Sequence, residues 1–422
     1  MKTLLKKFIP SFIFSWYHFL LVFLGALIYS FPSKKLVVIG VTGTNGKSTV
    51  VHLITEILEQ AQTQSQGKIA SLSSIKFKIG KKEWPNMLKM TMPGRFKLQK
   101  FLRDAIKAGC KYAILEITSE GIKQRRHRFI DFNGAVFTNL TREHLEAHKG
   151  FENYKKAKGK LFKALKKSKK KDKFVVVNID DKYGEHFAKL AGSVKKYTYG
   201  IKNKKAKIQP DKIDLQISLP GEFNIYNSLA AACVSLSQGV KINKILRTLK
   251  SIKEISGRME MVMEKPFVVY VDYAHTPDAL EKVYKTIRAS EFMDRNSKTV
   301  CVLGSCGGGR DKWKRPEMGK IAVKHCDEII LTNEDPYNED PFSILKDIEA
   351  GFEEIRRSKI EVRKIIDRRE AIYQALASAQ KNDVVIITGK GSEPWICVEK
   401  DKKIPWDDRK VVREEFKKIC GK

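Results

Sequence analysis

The stretch GVTGTNGKST, residues 40–49, follows the apolar run LVVI and precedes VVHLITEIL, whose apolar residues recur at helical spacing. Strand, glycine turn and helix start together make an arrangement that holds a phosphate chain. Glycines let the backbone curl with its N–H groups inward, and the helix N-terminus adds its positive end. Gly43 and Gly46 supply that freedom, with Thr44 and Asn45 between them. Lys47 can reach terminal phosphates, Ser48 can ligate Mg2+, and Thr49 completes the opening of the helix. The generic phosphate-loop spacing places a glycine at position 41, where this chain has Val41 with glycines at 40 and 43. A glycine turn with an incidental lysine is the bland alternative, and it leaves Lys-Ser-Thr at the helix start unexplained.

Outward from this turn the pattern alternates. Apolar runs at 36–41, 112–117, 134–138 and 174–178 are strand-like, with helical stretches at 46–60 and 151–167. This predicts an α/β domain with a mainly parallel sheet, a central phosphate-loop ATPase type. Helices follow near 224–238 and 241–250. A second βαβ series then runs through FVVYVDY, a helix from Pro277, TVCVLG, a helix near 316–325, EIILT, a helix near 342–356 and DVVIITG. It reads as a C-terminal Rossmann-like α/β domain. The expected division is an apolar N-terminal segment at 1–35, a central domain at 36–257 and a C-terminal domain at 258–422.

The chain has 422 residues, enough for two or three cores, and is 42% hydrophobic and 31% charged, which argues against long disorder. Lys and Arg total 81 against 48 Asp and Glu, a net charge of +33. Such a field attracts polyanions. The lysines are spread along the chain, without a basic and aromatic module of the kind that stacks nucleic acid, so no nucleic-acid partner is expected. Seven scattered cysteines have no zinc spacing and read as free thiols in a reducing compartment.

Residues 8–31, FIPSFIFSWYHFLLVFLGALIYSF, carry no charge if His18 is neutral, with Lys2, Lys6 and Lys7 before them and Lys34 and Lys35 after. That is long enough to cross a bilayer as a helix, with Trp16, Tyr17 and Tyr29 as interface anchors. The alternative is an apolar helix packed on the protein itself or on a second copy.

A phosphate site needs a metal, and the metal needs oxygen ligands. YAILE, 112–116, ends in a carboxylate at the expected carboxyl edge of the sheet, so Glu116 is placed to hold Mg2+. His144 and His148 stand at i, i+4 in FTNLTREHLEAH; alone, such a pair is more often structural. Lys158 shares a helix face with Tyr154 and Phe162, where a lysine is costly unless neutralised, used or snorkelling to solvent.

TGTNGKST, YAILEITSEG, FTNLTREHLEAH, ENYKKAKGKLF, GEFNIYNSLAA, GRMEMV, VDYAHTPDALEKV, GGGRDKWKRPEMG, EDPYNEDP and GKGSEPW follow one another as in the Mur ligases. From about residue 37 to 413 the chain resembles the branch that adds the third residue to UDP-N-acetylmuramoyl-L-alanyl-D-glutamate. The resemblance implies a cytoplasmic, ATP- and Mg2+-dependent acid–amino-acid ligase of peptidoglycan synthesis. ATP phosphorylates the substrate carboxylate, and an amino group displaces phosphate from the acyl phosphate. It implies that Ser48 and Glu116 hold one Mg2+, that His144 holds a second, and that Lys158 is carbamylated to a carboxylate-like anion in the metal site. It further implies that Asn224 and Asn227 lie near adenine, and that Arg258, Asp272, Tyr273 and His275 close over the phosphates and ribose.

The departures bear on substrates. The family's N-terminal uridine-binding domain has no counterpart, and the apolar segment 8–31 stands in its place. The carrier is therefore expected to be UDP-linked or lipid-linked, with the protein attached to the inner face of the cell membrane in the second case. TMPGRF keeps Thr91 and Pro93 but has Gly94 and Arg95, a new arginine that suggests a different anionic contact. Ser119 and Arg126 keep substrate-binding positions, while Glu120 replaces a usual histidine. Diaminopimelate-selecting relatives carry Asp-Asn-Pro-Arg where this chain has Glu334, Asp335, Pro336 and Tyr337. Arg310, Gly389 and Glu393 persist. Two acids without the arginine suit a side chain ending in an amine, as in L-lysine or ornithine, with diaminopimelate open if another arginine serves. A folylpolyglutamate-type ligase is the neighbouring alternative within the superfamily.

Overall fold

The computed structural model describes residues 11–61, 67–88, 90–352, 360–400 and 402–421. They divide into two compact units. The first takes the chain up to Leu140, Glu152–Ile217 and Ile225–Ser251; the second takes Thr141–Phe151, Ser218–Asn224 and the chain from Ile252.

The first unit begins with helix α1 (Ser11–Ile28) and then enters β1 (Val37–Thr42), the glycine turn and α2 (Lys47–Ala61). β1 is buried along nearly its whole length, as its unbroken apolar run requires of a central parallel strand. Beyond it come β2 (Lys68–Leu72), β3 (Lys76–Ile79), β4 (Lys82–Pro85), α3 (Arg95–Lys107), β5 (Cys110–Glu116), α4 (Ser119–Lys123) and β6 (Gly134–Phe137). After α5 (Leu145–His148), which belongs to the second unit, α6 (Phe151–Lys167), β7 (Phe174–Asn178), α7 (Gly184–Ala191) and β8 (Lys195–Tyr199) follow. The sheet has eight strands in the order β4-β3-β2-β5-β1-β6-β7-β8. All pairings are parallel except those of the β2-β3-β4 meander. β1 lies between β5 and β6, the point at which strand order reverses and a ligand crevice opens at the carboxyl edge. The parallel register sets Glu116 beside Val41, one residue from the end of β1.

The second unit holds a six-stranded sheet in the order β13-β12-β11-β14-β10-β9, formed by β9 (Glu260–Met263), β10 (Val268–Val271), β11 (Thr299–Leu303), β12 (Glu328–Leu331), β13 (Glu361–Lys364) and β14 (Val384–Ile387). Only β9 runs antiparallel. Apolar clusters cover both faces, one around Leu280, Tyr284 and Met318, the other around Ile372, Leu376 and Val412. Thr276 caps the helix Pro277–Arg288, its hydroxyl accepting from the Ala279 N–H at 3.2 Å, with proline in the first turn.

Two expectations are corrected. Among the described residues no helix is long and apolar enough to cross a membrane. Residues 8–10 of the apolar segment lie outside the described residues, and α1 buries Val22, Gly25 and Ala26, with Gly25 against Phe96 of α3. Its small residues let the two helices approach closely, so one face of α1 is already covered by protein. Cys301 and Cys326 are not free thiols but form a disulfide, their Cα atoms 6.1 Å apart.

The second unit also contains a fully buried ion pair. Arg368 Nε and Nη2 donate to Asp408 at 2.8 Å each, and Nη2 and Nη1 also reach the Thr388 and Asn333 carbonyls at 2.8 and 3.1 Å. These carbonyls belong to the loops after β14 and β12, so the arginine ties the two strand ends together. Arg368→Ala leaves a buried carboxylate uncompensated and should destabilise this unit by about 3–5 kcal/mol, read as a lower denaturant midpoint. Arg368→Met combined with Asp408→Leu should lose less than Arg368→Ala alone.

Candidate active site

The glycine turn is held from below by the segment after β6. Asn139 Oδ1 accepts from the Asn45 N–H at 2.9 Å, and its Nδ2 donates to the Asn45 carbonyl at 3.1 Å. Thr138 Oγ1 donates to the same carbonyl at 2.7 Å, and the Thr44 N–H donates to the Asn139 carbonyl at 2.9 Å. The fit leaves no room for side chains in the turn. A Cβ on Gly43 would stand 1.8 Å from Thr138 Oγ1, and one on Gly46, whose φ is +83°, 2.3 Å from Asn227 Oδ1. Asn227 is thereby placed directly against the loop.

Lys47, Ser48 and Glu116 meet at the start of α2. The Ser48 hydroxyl donates to Glu116 Oε2 at 2.8 Å, and the Ser74 N–H donates to the same oxygen at 2.9 Å. Lys47 Nζ donates to the Thr44 carbonyl at 2.7 Å and lies 4.0 Å from Glu116 Oε1. Glu116 is buried, and these donors satisfy its Oε2 oxygen. A hydroxyl beside a carboxylate is a hard-oxygen donor set that fits Mg2+. Among the described residues no group of three or more His, Cys, Asp or Glu could hold a metal. Mg2+ would therefore rest on Ser48 and Glu116, with phosphate and water oxygens completing its shell.

Lys158 is 2% exposed. Its Nζ donates to the Gly43 carbonyl at 2.6 Å and lies 4.5 Å from the centre of the Tyr154 ring, whose hydroxyl is 3.1 Å from Thr44 Oγ1. The lysine is used rather than snorkelled: a carbonyl and an aromatic face take its charge. Thr49 is buried behind the turn.

The residues expected on the substrate side of the first unit are held as follows. Arg126 Nη1 donates to the Met92 carbonyl, and its Nη2 to Gln124 Oε1 at 2.7 Å. This holds the guanidinium against the loop of Thr91 and Pro93. Burial, with Arg95 as a like charge, brings its pKa down to about 10, still far above neutrality. Asn86 Nδ2 donates to the Thr91 carbonyl at 3.3 Å. Ser119 is buried in the first turn of α4, which Thr118 caps by accepting from the Gly121 N–H at 3.1 Å. Arg95, expected to make a new anionic contact, bonds His18 Nδ1 on α1.

In the second unit the candidates gather at the carboxyl ends of β10, β11, β12 and β14. Asp272 accepts from the Met259 and Ala274 N–H groups at 2.7 and 2.6 Å, and burial pushes its pKa up. The Arg258 guanidinium stacks 4.3 Å from the centre of the Tyr273 ring, and the Tyr273 hydroxyl donates to Glu393 Oε1 at 2.9 Å. His275 Nδ1 lies 2.8 Å from the Tyr273 carbonyl. Asn224 donates to the Pro220 carbonyl at 2.7 Å. His144, expected to hold a second Mg2+, belongs to the second unit, at the start of α5 with φ +55°. Asp311 fixes α5 by accepting from the Leu145 and Glu146 N–H groups at 2.9 and 3.0 Å.

The two acids of the EDPY motif differ in kind. Asp335 is neutralised: Lys390 Nζ reaches both its oxygens at 3.0 Å, and the Cys397 N–H donates at 2.7 Å. Lys390 also donates to Glu393 Oε2 at 2.7 Å. Glu334 is 2% exposed; Cys306 Sγ is 2.9 Å from its Oε1, while Oε2 is buried with no hydrogen-bond partner, against Gly389. Burial raises its pKa. Tyr337, at φ +54°, sets its ring against Gly308, two residues before Arg310. Sequence reading did not single out Thr138, Asn139, Ser74, Cys306 or Lys390. The first two lie in FTNLTREH and Lys390 in GKGSEPW, so their motifs were the available signal.

Residues 41–235 match the Mur ligase middle domain, and residues 257–391 the domain described as Mur ligase, glutamate ligase domain. The UDP-N-acetylmuramoyl-L-alanyl-D-glutamate--2,6-diaminopimelate ligase of Syntrophomonas wolfei is 37% identical over 413 residues, 93% of this chain and 81% of that protein. The ligase of the same name from Halalkalibacterium halodurans is 38% identical over 411 residues, 92% and 80% respectively. A solved structure of a ligase with this name is 30% identical, with a TM-score of 0.58, covering 91% of this chain and 79% of that one.

Asn139→Ala removes both side-chain bonds to Asn45 while leaving the sheet intact. Two such bonds at about 0.5–1.5 kcal/mol each should weaken ATP binding roughly tenfold, measured by calorimetric titration, with an unchanged circular dichroism spectrum.

Proposed function

We propose, for a chain that belongs to the Mur ligase family, an ATP-dependent ligase that joins a diamino acid to the glutamate carboxylate of a muramoyl-L-alanyl-D-glutamate precursor. The observation that carries this reading is the convergence of Lys47, Ser48, Glu116 and Lys158 on one glycine turn. The backbone N–H groups of Gly46 and Lys47 and the Lys47 ammonium bind the phosphates of ATP, while Asn139 holds the Thr44 and Asn45 N–H groups. Mg2+ on Ser48 and Glu116 would supply further positive charge where charge develops. A substrate carboxylate oxygen attacks the γ-phosphorus, the bond to ADP breaks, and an acyl phosphate forms. The neutral amine of the acceptor then attacks the acyl carbon. Phosphate departs with the electron pair of the C–O bond, and the new amide nitrogen loses a proton to solvent.

Arg126, with Thr91, Pro93 and Ser119 around it, serves the anionic muropeptide. Arg258, Asp272, Tyr273 and His275 serve the nucleotide, as do Asn224 and Asn227. His144 is a candidate for a second Mg2+. Carbamylated Lys158 would add a carboxylate-like ligand in place of its present bond to the Gly43 carbonyl. We locate the reaction in the cytoplasm, where ATP is supplied.

Arg310 takes the acceptor's α-carboxylate, and the unpartnered Glu334 oxygen takes its distal ammonium. Asp335 is already paired with Lys390, so Glu334 is left for the single distal ammonium, and the EDPY motif places no cation for a distal carboxylate. This favours L-lysine or ornithine. The names of the relatives favour diaminopimelate, whose distal carboxylate would need a cation from elsewhere, since Tyr337 supplies none.

The test is phosphate release with ATP and Mg2+ on UDP-linked muramoyl-dipeptide, with L-lysine, ornithine, diaminopimelate or glutamate in turn. Release is expected with one diamino acid and not with glutamate; release with glutamate alone would indicate a folylpolyglutamate-type acceptor. A lipid-linked carrier predicts release only when a lipid-linked muropeptide replaces the UDP-linked one. Glu334→Gln should raise the KM for the acceptor about tenfold to a hundredfold, from a charged hydrogen bond worth roughly 1.5–3 kcal/mol, while the KM for ATP stays unchanged.

A further inference from the structure

The outer face of α1 is apolar and uncovered. Trp16, Leu20, Phe23, Leu24, Leu27 and Ile28 recur at helical spacing along one side, and Trp16 and Ile28 are 68% and 64% exposed. The opposite side, through Val22, Gly25 and Ala26, is buried on α3. No acidic residue occurs within 8–31.

Basic side chains border this stripe. Phe129 packs against Phe19 and Phe23 of α1, with ring centroids 5.3 and 5.4 Å apart. The Arg125 guanidinium lies 5.9 Å from the centre of the Phe19 ring. Arg125, Arg128 and Lys163 in turn act as like charges on Lys160. Beyond the C-terminal end of the helix, Lys34 lies 5.0 Å from the centre of the Phe31 ring.

We propose that α1 lies in the plane of an anionic bilayer surface. Its outer side chains enter the headgroup and acyl boundary, and Arg125, Arg128, Lys160 and Lys163 meet lipid phosphates. An in-plane helix of this kind gains from both apolar burial and attraction to anionic lipid. Trp16 and Tyr17 have the amphipathic rings that favour the interface. A spanning orientation would require Val22, Gly25 and Ala26 to leave α3. A second copy of the chain is a poorer occupant of the stripe, since pairing two such surfaces would bring two basic borders together in a protein of net charge +33. The inference goes beyond the ligase reading and does not depend on it.

The test is flotation of the full-length protein with vesicles of phosphatidylglycerol mixed into phosphatidylcholine, against phosphatidylcholine alone, at low and high salt. Leu20→Ser, Phe23→Ser and Leu27→Ser are combined in one variant, whose residues are exposed and remote from the phosphate loop in function. Binding is expected to the anionic vesicles, weakened by salt, and reduced in the triple variant by more than roughly tenfold, given the burial of three large apolar side chains. Brominated lipid should quench the wild-type protein more than a Trp16→Ser variant. Equal or absent binding to both vesicle types overturns the proposal. So does a concentration-dependent dimer that the triple variant abolishes, which would assign the stripe to a second copy. Retention on the membrane through alkaline extraction would indicate a spanning helix and overturn it equally.

Discussion

A buried carboxylate that must find hydrogen-bond donors beneath a glycine turn is the constraint on which the first unit depends. Glu116 is buried, and a buried polar group without hydrogen-bond partners is costly. The Ser48 hydroxyl and the Ser74 N–H donate to it, and Lys47 stands 4.0 Å away. Each group arrives by a different route: the donors Ser48 on the first turn of α2 and Ser74 after β2, and the acceptor Glu116 at the end of β5. Only a sheet with β2, β5 and β1 side by side brings these three strand ends together. The strand order thus follows from the same requirement as the site.

The second unit handles buried charge by pairing. Arg368 with Asp408, and Lys390 with Asp335 and Glu393, each place a cation among carboxylates at strand ends. Such pairs add little net stability but fix geometry, because breaking one strands a charge. Against that background Glu334 stands out, with an oxygen that no protein donor meets. Its neighbour Asp335 has the same charge and the opposite fate, which reduces the apparent doubly acidic motif to one available acid.

Much of this was legible in the sequence, and what was not has physical reasons. The helices at 46–60 and 151–167 are present as Lys47–Ala61 and Phe151–Lys167, because long amphipathic periodicity and a glycine turn mark their limits. The meeting of Lys47, Ser48 and Glu116 was likewise readable, since a carboxylate closing an apolar strand falls at the carboxyl edge. β3 and β4 went unread: KFKI and KEWP are four residues each and rich in lysine, too short for alternation to stand out. Thr138 and Asn139 bond to a turn some 90 residues away, and Lys390 to an aspartate 55 residues away. No local pattern encodes such a pairing. The apolar segment was read as long enough to cross a bilayer because composition reports length and hydropathy, not which side is already covered by α3. The bond of Arg95 to His18 joins residues 77 apart and is likewise encoded by no local pattern.

In the proposed reaction this loop activates a carboxylate as an acyl phosphate before the amine arrives. The most direct measurement is the fate of a heavy-oxygen label placed in the glutamate carboxylate of the muramoyl precursor. Transfer of one labelled oxygen to the released inorganic phosphate, dependent on both ATP and the acceptor amine, is the predicted result. Amide formation with all of the label retained in product or lost to water, and none in phosphate, would contradict it.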